Sequence, residues 1–121
     1  MMKELKNVAT RIAMLPRSFN QLGTKSIKTL LSETGYSEVR ELLSVSEIKE
    51  SLRANPECVS EWLQYSEDKR VESGWYFRQT SGVCTVGELG RNGRHVSEQS
   101  FPDALDACAV FIKQEVESIA T

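Results

Sequence analysis

Three features of the 121-residue chain predict an α+β domain. Apolar residues recur at helical spacing through the first 70 positions, short β-branched and aromatic runs follow Ser73-Gly74, and helical spacing returns after Pro102. Hydrophobic residues make up 40% and charged residues 26%, the balance of a folded domain and not of a disordered chain. One domain over 1–121 is expected: a bundle of short helices over 1–70, a β-meander over 74–99, and a long helix over 102–120 packed on the sheet or the helical layer.

The segment Glu4 to Met14 puts Leu5, Val8, Ala9 and Ile12 on one helical face. Pro16 stops or redirects it, and Arg17 to Gly23 reads as a loop anchored by Phe19 and Leu22. Thr24 is a candidate cap for a helix burying Ile27, Leu30 and Leu31, with Gly35 as its left-handed terminator. Ser37 can cap a short helix through Val39, Leu42 and Leu43. Ser46 can cap another, with Val45 outside it and Ile48 and Leu52 inside. Asn55-Pro56 reads as a cap and first-turn proline ahead of a helix carrying Val59, Trp62 and Leu63 toward Lys69-Arg70.

Strands are expected at Trp75–Thr80, Val83–Leu89 and Arg94–Gln99, joined by turns at Ser81-Gly82 and Asn92-Gly93. Such a meander cannot bury a face by itself. The final helix supplies the cover through Leu105, Cys108, Ala109, Ile112, Val116 and Ile119, with Asp103 and Asp106 at its positive end. Val110 and Phe111 widen the apolar surface, and Lys113, Glu115 and Glu117 mark the expected solvent side.

Charge narrows the function. The chain has 15 basic and 17 acidic residues, net −2; residues 71–121 hold 4 basic against 7 acidic. Phosphate backbones are held by accumulated positive charge, so no direct nucleic-acid contact is expected. Cys58, Cys84 and Cys108 are odd in number and widely spaced, which predicts reduced, buried thiols and neither a disulfide framework nor a metal site. Lys3, Glu4, Lys6 and Arg11 interrupt the N-terminal segment, so no signal peptide is expected. No apolar run approaches the roughly 20 residues of a membrane span, and the expected location is the cytoplasm.

No catalytic, cofactor or metal constellation emerges. His95 is the single histidine and reads as a surface or interface residue. Gly82, Gly87, Gly90 and Gly93 fall in or between strands without a phosphate-loop fingerprint, and Gly87 suits a bulge or close packing over the sheet. In the run Trp75-Tyr76-Phe77, alternation sends Trp75 and Phe77 to one face and Tyr76 to the other. Base stacking would require a basic surround, which Arg78, Arg91 and Arg94 provide only thinly.

Trp62-Leu-Gln-Tyr-Ser-Glu-Asp-Lys-Arg70, Ser73-Gly-Trp-Tyr-Phe77, Val86-Gly87, Asp103 and Ala107-Cys-Ala-Val-Phe-Ile-Lys-Gln-Glu115 resemble small bacterial immunity proteins of contact-dependent growth inhibition systems. The resemblance spans roughly 20–120, its distinctive pieces covering less than half the chain. It implies a non-enzymatic cytoplasmic protein that binds and inhibits the C-terminal domain of a toxin, often a ribonuclease or other nuclease, by stoichiometric contact. The acidic bias of the chain suits a basic enzyme surface. The expected partner-binding residues are Tyr65, Glu67, Asp68, Glu72 and Tyr76 beside the helix-to-sheet junction, with Glu88 and Glu98 on the sheet. Two alternatives remain. A regulatory nucleic-acid-binding or adaptor module would gather Lys25, Lys28, Arg40, Lys49 and Arg53 on one face; a small carboxylate enzyme would place a deep polar cleft around Glu67–Glu72.

Overall fold

A computed structural model of the chain describes residues 2–22, 26–69, 74–90 and 95–120, without the side chains at positions 2, 3, 20–22, 68, 69, 95 and 96. Among the described residues, seven helices and three strands follow in order: α1 Met2–Ala13, α2 Leu15–Leu22, α3 Ile27–Glu33, α4 Tyr36–Val39, α5 Val45–Ala54, α6 Glu57–Lys69, β1 Gly74–Thr80, β2 Val83–Leu89, β3 His95–Phe101 and α7 Ala104–Ala120. The expected α+β architecture is present, and α7 packs on both the sheet and the helical layer.

α7 occupies the centre. One side lies against β1 and β2, another against α5 and α3, and α6 runs beside it over the sheet. That placement explains why Ala107, Cys108, Ala109, Phe111, Ile112 and Val116 are all fully buried. Phe111 joins the layers: its ring stacks on Phe77 of β1 at 5.8 Å and meets Trp62 of α6 edge-on at 5.9 Å. Trp62 in turn donates its indole N–H to the Ala13 carbonyl at 2.8 Å, tying α6 to the end of α1. The core is continuous from α1 through α7 to the sheet.

Several helix boundaries differ from the sequence expectation, each for a local reason. The stretch read as a loop after Pro16 is helix α2. A proline is tolerated in a first turn, where its missing N–H would be unpaired in any case, so Pro16 redirects the chain without ending helical structure. Thr24 lies outside the described residues; the α3 cap is Ser26, whose hydroxyl accepts the Thr29 N–H at 3.2 Å. Gly35 is left-handed (φ 86°) as expected, but α4 restarts immediately on it, so Ser37 lies inside the helix. α4 ends at Val39, and the turn after it buries Leu43 while leaving Leu42 55% exposed.

α5 is capped by Ser44, not Ser46, because Glu47 three residues on accepts the Ser44 backbone N–H at 3.1 Å in a capping box. Asn55 closes α5: its N–H reaches the Ser51 and Leu52 carbonyls, each at 3.1 Å, and α6 begins at Glu57. β3 runs on to Phe101, and Asp103 caps α7 by accepting the Leu105 N–H at 3.0 Å. Glu115 was expected on the solvent side. It is 3% exposed, because α7 is covered on nearly every side.

The sheet is an antiparallel meander in the order β1-β2-β3. Ser81 and Gly82 close the first hairpin with φ of 52° and 79°, the left-handed pair a two-residue turn requires. Asn92-Gly93 lies outside the described residues. The register shifts between Glu88 and Leu89, which pair with Ser97 and His95, so the extra residue lies on β3.

Candidate functional site

The two-residue turn makes Thr80 and Val83 the closing bonded pair, so main-chain groups of Tyr76, Arg78 and Thr80 point to β2. Those of Trp75, Phe77 and Gln79 point the other way, toward α6. Ser66 of α6 meets that edge, its hydroxyl accepting the Phe77 N–H at 2.8 Å. Between helix and strand lies an open groove of about 570 Å³, walled by Leu63, Ser66 and Glu67 and floored by the length of β1. Leu63, Trp75, Phe77 and Leu89 are apolar residues of its lining; Glu67 is exposed on the helix rim.

On the face of the sheet away from α7, Tyr76 lies across Gly87, its cross-strand partner. A Cβ at Gly87 would meet Tyr76 Cζ at 2.5 Å and the Ser97 carbonyl oxygen at 2.6 Å, so only glycine admits the ring here. Gly87 therefore serves close packing over the sheet, as its position suggested. The phenol donates to Glu98 Oε2, and the Arg78 guanidinium sits 4.4 Å from the ring centroid. Burial, then the bond to Glu98 and its charge, push the Tyr76 phenol up to about 12, with Arg78 opposing. Tyr76 is only 6% exposed, so it supports this surface more than it presents an open ring.

The structure thus brings Glu67 and Tyr76 to the groove and Glu98 to Tyr76. Glu88 takes the opposite face of the sheet, paired across from Trp75 and half-buried. Tyr65 is turned inward. Its phenol donates to the buried Glu115 carboxylate at 2.7 Å and its ring meets Trp62 edge-on at 5.1 Å, since a buried carboxylate needs hydrogen-bond donors. Burial and Glu115 together raise its pKa well above the ordinary tyrosine value. The Asp68 side chain and all of Glu72 lie outside the described residues. Ser66 belongs to the groove and was not singled out by sequence, and Leu63 and Arg78, read there only as an apolar helix position and a thin basic surround, belong to it as well; only knowing that β1 is an edge strand beside α6 brings the three together.

Of the cations that a nucleic-acid module would gather, three are held in ion pairs, and Lys28 is exposed on α3. Arg40 binds Glu117 at 2.6 Å, Lys49 binds Asp106 at 2.5 Å and Asp103 at 3.8 Å, and Arg53 pairs with Glu50. Lys25 lies outside the described residues. Glu117 is also held by Tyr36, and Lys113 reaches the Tyr36 hydroxyl and the Arg40 carbonyl, both at 2.8 Å. The Arg40 and Tyr36 hydrogen bonds bring the Glu117 carboxyl down to about 2. Cys58, Cys84 and Cys108 are free thiols and buried, as their spacing implied.

Among the described residues no His, Cys, Asp and Glu grouping suited to a metal ion occurs, and no helix is long and apolar enough to cross a membrane. No family model, curated protein or solved structure matches the chain.

Proposed function

We propose that the chain is an immunity protein: in the bacterial cytoplasm it binds the C-terminal nuclease domain of a contact-dependent growth inhibition toxin and inhibits it stoichiometrically. The observation that carries this reading is the carboxylate and aromatic surface around β1, where Glu67 borders a groove floored by Trp75 and Phe77 and Glu98 lies beside Tyr76. Nuclease sites are basic because they hold phosphates. Fixed carboxylates offer the same charge, and packed aromatic rings give an anchor that loses little side-chain entropy on binding. The resemblance of the segments around Trp62, Trp75 and Ala107 to immunity proteins supports the same reading. Engagement of Arg40, Lys49 and Arg53 by carboxylates weakens the nucleic-acid alternative.

The test is copurification of tagged protein from its native bacterium, with mass spectrometry of what remains bound at high salt. A toxin fragment at near-equal stoichiometry is the expected result. Glu67→Lys and Glu98→Lys should each weaken that complex about tenfold or more, mostly through slower association and faster loss at high salt. Recovery of nucleic acid, or of no stable protein with the toxin present, overturns the proposal.

A further inference from the structure

β1 is an edge strand, so its outward main-chain groups line the groove instead of meeting another strand. The Phe77 N–H is held by the Ser66 hydroxyl at 2.8 Å. A hydroxyl that accepts one proton still carries its own, so Ser66 passes the strand's donor outward and does not remove it. The Phe77 carbonyl and both main-chain groups of Gln79 share that direction. Among the described residues none of these three has a partner. Size decides what shape can enter. Seven strand residues run about 23 Å, and a helix about 10 Å across would need about 1,800 Å³ over that length. The groove holds about 570 Å³, which suits one extended chain and excludes a helix. Its rims carry opposite charge. Glu67 on α6 is exposed and has no hydrogen bond or ion pair among the described residues. Arg78, on the strand side, is exposed with its guanidinium 4.4 Å from the Tyr76 ring centroid, and stacking of this kind leaves the in-plane N–H donors available.

We infer that the groove between α6 and β1 seats an extended segment of the partner protein in which a basic and an acidic residue are neighbours, the first facing Glu67 and the second Arg78. This deepens the proposed function and rests on it for the partner's identity. Successive side chains of an extended chain point to opposite sides, so adjacent residues reach opposite rims. Leu63 lies one turn back from Glu67 on the same face of α6, and the stem of a lysine or arginine covers it while the charge meets the carboxylate. The segment's main chain bonds to the Ser66 hydroxyl, the Phe77 carbonyl and the Gln79 pair. A second copy of this chain does not fit: among the described residues no strand has a basic residue next to an acidic one.

The probe is a blocked heptapeptide of threonine and valine around a central lysine-aspartate pair. Its counterparts carry two glutamines in place of the pair, or the same pair with alternate backbone donors N-methylated. Binding to the full chain is followed residue by residue through amide NMR shifts and hydrogen exchange. The lysine-aspartate peptide should bind with a Kd of about 0.1–1 mM and slow exchange of the Gln79 amide. The glutamine peptide should bind about three- to tenfold more weakly, having lost two exposed ion pairs, and the N-methylated one at least about tenfold more weakly. Glu67→Lys should reverse the preference, so that a peptide with two aspartates binds better than the lysine-aspartate one. Gln79→Pro removes an N–H directed away from the sheet and should keep the fold while weakening binding. If Gln79→Pro unfolds, the N-methylated peptide tests the main-chain bonds on the unaltered protein. No binding, equal binding of the three peptides, or shifts confined to β3 overturn the inference. If the toxin domain binds the native chain and a folded Arg78→Glu variant equally, the seated segment fails while the immunity reading stands. Peptide binding without toxin binding leaves the groove's preference and removes the immunity reading.

Discussion

Gly87→Ala tests the packing of the outer sheet face. The new methyl carbon would stand 2.5 Å from Tyr76 Cζ and 2.6 Å from the Ser97 carbonyl oxygen. The ring can rotate away, but only by leaving Glu98; the carbonyl belongs to the β2–β3 ladder and has little freedom. Overpacking costs about 1–3 kcal/mol, and loss of the partly exposed phenol–carboxylate bond adds about 1 kcal/mol. Replacing a strand glycine returns about 0.5–1 kcal/mol through chain entropy. The net expectation is a loss of about 1–3.5 kcal/mol, or a fall in Tm of about 4–14 °C for a chain of this size. Urea and thermal unfolding read both quantities. A Tyr76→Ala background separates the two clashes: the alanine penalty should fall to about 1 kcal/mol once the ring is gone, leaving the carbonyl contact. A Gly87→Ala variant within about 0.5 kcal/mol of the native chain would refute the close approach of ring and strand.

Tyr65→Phe removes the donor to the buried Glu115 carboxylate and should cost about 1.5–3 kcal/mol in chemical denaturation; an effect below about 0.5 kcal/mol would mean that Glu115 is satisfied without it. Trp62→Phe takes the N–H from the Ala13 carbonyl and leaves a gap against Phe111, with an expected loss of about 2–4 kcal/mol and an unchanged denaturant slope. The Glu117 carboxyl lies below its unfolded value, so its contribution is complete above the ordinary carboxylate range and is lost as pH falls toward about 2. Glu117→Gln should flatten the decline of Tm across that window; an unchanged acid limb would place the sensitivity elsewhere.

The periodicities that define the architecture were legible because each reflects a burial requirement. Leu105, Cys108, Ile112 and Val116 repeat at helical spacing since one face of α7 must meet apolar neighbours, and Ser81-Gly82 is a pair that tolerates left-handed backbone. Boundaries were less legible where two similar signals compete. Ser44 and Ser46 are both chemically able to cap α5, and only the reach of Glu47 back to Ser44 separates them. Pro16 ends a hydrogen-bonding pattern without saying whether another helix begins on it. Burial of Glu115 depends on α7 being surrounded, a tertiary fact that no local window contains. The same holds at the candidate site. Glu67, Tyr76 and Glu98 were visible as surface chemistry, whereas the inward turn of Tyr65 depends on Glu115 from a helix 50 residues away in sequence.

The buried cysteines make the chain its own reporter. Exposures are 0% for Cys58, 1% for Cys84 and 0% for Cys108, one thiol each from α6, β2 and α7. Burial pushes the Cys58 thiol up to about 11, and the Cys108 thiol also stands well above its usual value. Thiolate, the species that alkylating reagents attack, is scarce in the folded state and common once the chain opens. Labelling kinetics resolved by residue would therefore time the separation of helix from sheet without any added probe: simultaneous modification of all three means one opening event, and early modification of Cys84 means that the sheet lifts from α7 first.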